Sequence, residues 1–288
     1  MKKKIYELAL SPELLRREFW QQVAPDFLNW EFIDIQTDLD GLRKQWKEIS
    51  KNAQYILVDE LHSGFLLKII PGVSRRILEI DRIDSIFIDE KGNLWPNCFT
   101  RESLHELIVA KASNLDTSAK AYITGQDSKM RVALSVAVQL GYRQINLISE
   151  NESDSVGSDQ IFKKLFFETQ VKRLKNTDLT LQKNDGTLLI NTLDLHVHKE
   201  LAEDLTFLNF IYGEGLVVDT QQFQSSNSVL DEALHVGLRV LTGLELQALT
   251  DYKTLVSILG KAVVPFDSYL KSWSEFVKQK PAKGPVTN

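Results

Sequence analysis

The chain has 288 residues, 43% of them hydrophobic and 25% charged, and a net charge of −5. That length is enough for two domains with separate cores, and the mixed, mildly acidic balance leaves no electrostatic footprint for nucleic acid or an anionic membrane. A single cysteine, Cys98, excludes an intrachain disulfide and Cys-rich zinc sets. No run approaches the ~18 apolar residues of a membrane span, and no apolar stretch follows the basic Met1-Lys2-Lys3-Lys4, so a cytoplasmic protein is expected.

The first ~112 residues alternate strand and helix patterns. Ile5–Leu10 reads as a strand, and Ser11-Pro12-Glu13 as a helix start with Ser as N-cap and Pro in the first turn. Phe32–Ile35 is the next strand. Leu39, Leu42, Trp46 and Ile49 then recur at helical spacing over Asp38–Lys51. Tyr55–Val58, Phe65–Ile70 and Ser85–Asp89 are further predicted strands, with Glu90-Lys91-Gly92-Asn93 turning the last into a hairpin with Leu94-Trp95. Thr100–Ala112 is a predicted helix capped by Thr100. Polar residues 114–120 mark the crossing into a second domain.

That domain opens with the strand Ala121–Thr124, the turn Gly125-Gln126-Asp127-Ser128-Lys129-Met130, an apolar helix to Leu140 and a second strand at 144–149. This is the setting of a dinucleotide site, in which three glycines let a pyrophosphate approach a helix N-terminus. Only the first glycine is present. Asp127 holds the second position, where it is expected to cap the helix; at about 4 Å and an effective dielectric near 20 its carboxylate would cost about 4 kcal/mol against each phosphate charge, before screening. A helix is expected over Gln160–Leu174, and strands at Thr187–Asn191, Leu216–Asp219 and Arg239–Leu241, which together imply parallel βαβ units and a doubly wound sheet. The tail carries Phe266, Tyr269, Leu270, Trp273 and Phe276 at helical spacing, a face that must bury itself, expected on the first domain.

The order of these segments resembles shikimate dehydrogenase, a two-domain enzyme that reduces 3-dehydroshikimate with NADPH. Gly215–Asp219 followed by Ser228–Leu246 is similar to that family's aspartate-ended strand, helix, strand and Gly-Leu-x-Met segment. Ile190-Asn191-Thr192 resembles Ile-Asn-Thr-Thr, and Ala9-Leu10-Ser11-Pro12 resembles the Ser-Leu-Ser-Pro of the substrate pocket. Ile83–Ile86 with Gly92-Asn93-Leu94 is similar to the Ala-Val-Asn-Thr hairpin. The resemblance implies an α/β fold: an N-terminal substrate-type domain of residues 1–112 with a returning segment from about 245 to 288, and a Rossmann-like NAD(P)-binding-type domain of residues 113–244.

The functional positions depart from that pattern. The family's Asn-Val-Thr-Ile-Pro-x-Lys aligns on Leu67–Val73, which puts Val73 at the lysine, and Asn-Thr-Asp-Gly aligns on Cys98–Arg101, which puts Thr100 at the aspartate. Val73 cannot donate a proton, and an unassisted Thr hydroxyl does so poorly, so the acid pair of a hydride-transfer site is missing. A shortened gap between Pro71 and Ile83 leaves Lys68 as an alternative lysine. The family's glutamine falls near Thr250. Of the pocket serines, Ser11 remains for substrate and the other is Ala9. Gly125, Ser128, Glu150 and Asn191 are the positions that would face a nucleotide; Glu150 would repel a 2′-phosphate but accept a hydrogen bond from an NAD ribose. NAD or NADP is therefore possible and disfavoured by Asp127. His196-Val197-His198 reads as a solvent-facing loop, and no metal is expected. These departures imply a shikimate dehydrogenase-like protein with degraded motifs, serving binding or regulation. The alternative is an active NAD(P)-dependent oxidoreductase on shikimate or a related small hydroxy or keto acid. A small-molecule ligand in the interdomain cleft is the expected partner, with a homodimer or a protein partner left open.

Overall fold

The computed structural model describes residues 2–9, 13–148, 168–222 and 225–280. In chain order its helices are α1 (Leu14–Val23), α2 (Leu39–Asn52), α3 (Glu60–Ile69), α4 (Arg75–Ile80), α5 (Phe99–Lys111), α6 (Asp127–Leu140), α7 (Lys199–Thr206), α8 (Ser228–His235), α9 (Gly243–Leu259) and α10 (Phe266–Gln279). Its strands are β1 (Lys3–Leu8), β2 (Trp30–Ile35), β3 (Tyr55–Val58), β4 (Ser85–Ile88), β5 (Leu94–Asn97), β6 (Lys120–Thr124), β7 (Gln144–Ile148), β8 (Gln170–Leu174), β9 (Gly186–Asn191), β10 (Ile211–Asp219) and β11 (Arg239–Leu241). They fall into two compact units.

Unit 1 is Met1–Pro71, Ile83–Asn97 and Gln247–Asn288. Its sheet runs β2-β1-β3-β4-β5, the first three strands parallel and the last two an antiparallel hairpin. The hairpin turns where expected: Gly92 takes φ +80, and the Asp89 carboxylate accepts the backbone N–H of Lys91 and Asn93. The aromatic tail becomes α10 and buries its face on α1 within this unit. The Phe19 ring lies 5.1, 5.0 and 5.3 Å from Tyr269, Trp273 and Phe276, and Trp20 Nε1 donates to Tyr269 Oη at 3.0 Å. Burying each such ring stabilises the unit by about 1.5–3 kcal/mol. All five tryptophans of the chain, at 20, 30, 46, 95 and 273, belong to unit 1.

Unit 2 is Gly72–Arg82 and Cys98–Leu246. Its six strands are all parallel in the order β11-β10-β9-β6-β7-β8, a doubly wound sheet that reverses direction between β6 and β9. β6 and β9 are buried almost throughout, as central parallel strands covered on both faces must be. Segments 72–82 and 98–112, expected with the first domain, cluster here instead. Arg101 Nε donates to Ser135 Oγ at 2.8 Å and Arg101 Nη2 to Gln139 Oε1 at 2.7 Å, tying α5 to α6; Lys111 Nζ donates to the Val240 carbonyl at 2.9 Å.

Several expectations are overturned. Residues 65–70 are not a strand but the second half of α3: Asp59 caps it by accepting the His62 backbone N–H at 2.9 Å, and His62, Ser63, Leu66, Leu67 and Ile70 share its buried face at helical spacing. Residues 170–174 are not a helix end but β8, which pairs in parallel with β7 at the sheet edge; residues 160–167 lie outside the described chain. α1 begins at Leu14, with Glu13 rather than Ser11 before it, and α5 begins at Phe99 after Cys98, with Thr100 inside the first turn. Among the described residues, no helix is long and apolar enough to cross a membrane.

Candidate functional site

In an open parallel sheet, ligands sit beyond the carboxyl ends of the strands where strand order reverses. In unit 2 that place lies beyond β6 and β9, whose last residues, Thr124 and Asn191, are register partners. Their side chains are bonded to each other: Thr124 Oγ1 donates to Asn191 Oδ1. Asn191 also donates through Nδ2 to the Leu193 carbonyl at 2.8 Å, and Thr192 Oγ1 donates to the Thr124 carbonyl at 2.8 Å. At the end of β10, Asp219 accepts the Gln221 backbone N–H at 2.7 Å and the Asn227 side-chain amide, while Asn227 Oδ1 caps α8. Burial raises the Asp219 carboxyl above its ordinary range, against the lowering effect of those two donors. The edge is closed by its own hydrogen bonds.

The loop that follows β6 has positive φ at two of the three glycine positions but glycine at only the first. Gly125 takes φ +146, and a Cβ there would collide with Thr192 Oγ1. Asp127 takes φ +58, in the left-handed region that glycine adopts freely and aspartate tolerates. It is the first residue of α6 and not its cap; that place is held by Gln126, whose side chain makes no capping bond. The expectation that Asp127 caps the helix is thus corrected: an Asp with left-handed φ stands inside the first turn. Met130, at the third glycine position, is buried beneath the loop. Because Asp127 is exposed, solvent cuts its repulsion of a phosphate towards the ~1 kcal/mol of a charge pair in water. The stronger obstacle is steric, since side chains occupy two positions that a pyrophosphate cradle leaves bare. These residues do not form a three-glycine cradle.

The remaining expected positions scatter. Ser128 is half-buried in the first turn of α6, and Thr100 is half-buried in the first turn of α5. Val73 is half-buried between Gly72 and α4. Lys68 is exposed on α3, in a helix where a strand was expected. Ser11 and Glu150 lie outside the described residues. His196 is exposed in the turn before α7, its backbone N–H held by Asp194. Among the described residues no group of three or more His, Cys, Asp or Glu side chains is placed to hold a metal.

Two groupings in unit 1 were not foreseen. Beyond β3, the buried His62 places Nδ1 at 2.6 Å from Asp59 Oδ1 and donates through Nε2 to the Thr37 carbonyl at 2.8 Å. Only the imidazolium serves both acceptors, and the Asp59 hydrogen bond accordingly raises its pKa. Beyond β1, Glu7, Glu13, Arg16 and Asp251 form a buried cluster of charges. A sequence signal existed for one member: Glu7 interrupts the apolar Ile5-Tyr6-Glu7-Leu8, whereas Asp251 stands among other polar residues of α9.

One unit with a parallel sheet whose strand order reverses between β6 and β9, and another with a smaller mixed sheet, a hairpin and a returning C-terminal helix, make a two-unit α/β protein. Its fold is that of the shikimate dehydrogenases. No family model matches the sequence, and no curated protein matches it. Among solved structures, a shikimate 5-dehydrogenase from Listeria monocytogenes, in complex with shikimate and NAD, is similar at a TM-score of 0.79 and 14% identity, over 94% of this chain and 96% of that one. A shikimate 5-dehydrogenase-like protein matches at 0.76 and 13%, over 96% and 98%. A 5-ketofructose reductase of Gluconobacter matches at 0.75 and 14%, again over 96% and 98%.

Proposed function

We propose that this chain is a shikimate dehydrogenase-like protein that has given up ordinary NAD(P)-dependent hydride transfer and retains its fold as a binding or regulatory protein. The loop after β6 carries this reading. Asp127 and Met130 stand where a dinucleotide loop has glycine, and Thr124 and Asn191 spend their side chains on each other instead of on a ligand. Val73 and Thr100, at the positions aligned with the acid pair, add a missing proton donor to a missing cradle.

The rival reading, an active oxidoreductase on shikimate or a related hydroxy or keto acid, draws on the fold it shares with two kinds of reductase. Two measurements on the full chain separate them. Incubation with shikimate and NAD or NADP, followed by the absorbance of the reduced nicotinamide, gives no turnover on the first reading; turnover at ordinary enzyme rates overturns it. Unfolding with either nucleotide at 100 times a dissociation constant would add about 2.7 kcal/mol if the site binds, and no shift is expected.

A further inference from the structure

Glu7 on β1 and Asp251 on α9 are among the most buried charged groups of unit 1, with 3% and 1% of their side chains exposed. Between them lies Arg16 of α1. Its Nη2 donates to Glu7 Oε1 at 2.9 Å, and its Nη1 lies 2.9 Å from Glu13 Oε2 and 3.5 Å from Asp251 Oδ1. Glu7 also accepts the Glu13 backbone N–H at 3.0 Å and both donors of Arg17, which reaches on to Asp34 of β2. Gln247 Nε2 donates to Asp251 Oδ2 at 2.8 Å.

Three carboxylates therefore face one guanidinium, and the second guanidinium is divided between Glu7 and Asp34. With all groups ionised, four carboxylates oppose two guanidiniums. Among the described residues, the other titratable groups facing the cluster bring no positive charge. Tyr269 of α10 is a buried phenol whose oxygen accepts from Trp20 Nε1, and Tyr55 of β3, with Asp84 near it, is a second. Glu13 Oε1 and Arg16 Nε are buried without a hydrogen-bond partner among the described residues. An uncompensated carboxylate in such a place is costly, and gaining a proton is the ordinary remedy.

We propose that the Glu13–Arg16–Asp251 cluster is a proton lock: the contact of α1 with α9 is made with one proton shared between Glu13 and Asp251, and releasing it loosens unit 1. Burial, the largest influence on both carboxyls, pushes them above their ordinary range. The unfolded chain gives up the proton in the ordinary carboxylate range, whereas the folded chain keeps it to higher pH. Stability is thus complete at low pH and falls as pH rises from that range through the folded value.

Urea unfolding of the full chain, followed by tryptophan emission between about pH 5 and about pH 9, tests this. The folded wild-type chain should bind about one more proton than the unfolded chain, and most of that excess should vanish in Asp251→Asn, which preserves shape. His62 titrates in the same direction but is present in both proteins, so their difference isolates the cluster. Equal pH slopes overturn the proposal. Should Asp251→Asn fail to fold, infrared spectra of the wild type decide: a protonated-carboxyl carbonyl band that disappears as pH rises supports the lock, and its absence at about pH 6 overturns it.

Discussion

The carboxyl edges of the two sheets solve one problem in opposite ways. In unit 2 the ends of β6 and β9 carry neutral amides and hydroxyls bonded to one another, and among its described residues Asp219, at the end of β10, is the one buried acid. In unit 1 the carboxyl ends of β1 and β3 meet ionisable side chains: Glu7, Glu13, Arg16 and Asp251 in one group, Asp59 and His62 in the other. Neutral stitching is insensitive to pH and loses little when one member goes. A charge cluster fails badly when one partner is removed, because the others stay buried and unpaired.

That contrast can be broken experimentally, and the tryptophans allow the units to be followed separately: emission reports unit 1, while far-ultraviolet circular dichroism reports both. The largest effect is expected from Arg16→Ala, which takes the guanidinium from Glu13 and Asp251 and leaves Glu7 with Arg17 alone, and should destabilise unit 1 by about 3–5 kcal/mol, seen as an earlier urea transition in tryptophan emission. Gly125→Ala forces a collision with Thr192 and an unsuitable φ, for a loss of about 2–3 kcal/mol visible by circular dichroism. Asp219→Ala leaves the Gln221 N–H and the Asn227 amide without their acceptor and should cost about 2 kcal/mol in the same measurement. Asp127→Gly should change stability by less than about 0.5 kcal/mol, since relief of the left-handed φ is offset by greater freedom in the unfolded chain; Asp127→Ala should lose about 1 kcal/mol. His62 adds a check on pH. Its folded value is raised, so its contribution is complete below the ordinary histidine range and is lost as pH rises through the folded value, a trend that His62→Gln should remove from the urea midpoint.

Patterns of local spacing made most of the architecture legible. Tyr55–Val58 and Arg239–Leu241 match their strands residue for residue, and the aromatic spacing of 266–276 announced a helix that had to bury itself. The failures have one cause in common. Leu67-Lys68-Ile69-Ile70 offers enough alternation to pass for a strand, and only the Asp59 cap and the buried face running back to His62 decide for a helix. The candidate site was half visible: the missing glycines are a property of the sequence, but the bond between Thr124 and Asn191 joins residues 67 positions apart. The Arg16–Asp251 pair spans the chain almost end to end, beyond what any local period encodes.

The aromatic seat of α10 on α1 has a consequence for how the chain is made. Synthesis proceeds from the N-terminus, and domains generally fold as units when their residues have emerged. Every residue of unit 2 lies at or before Leu246, so that unit is complete while unit 1 still lacks Tyr269, Trp273 and Phe276. Phe19 and Trp20 wait for partners that are translated some 250 positions after them. The aromatic face of α1 is made before unit 2 and closes after it, and a ribosome stalled beyond Leu246 would display a finished unit 2 tethered to an open unit 1 with that face bare.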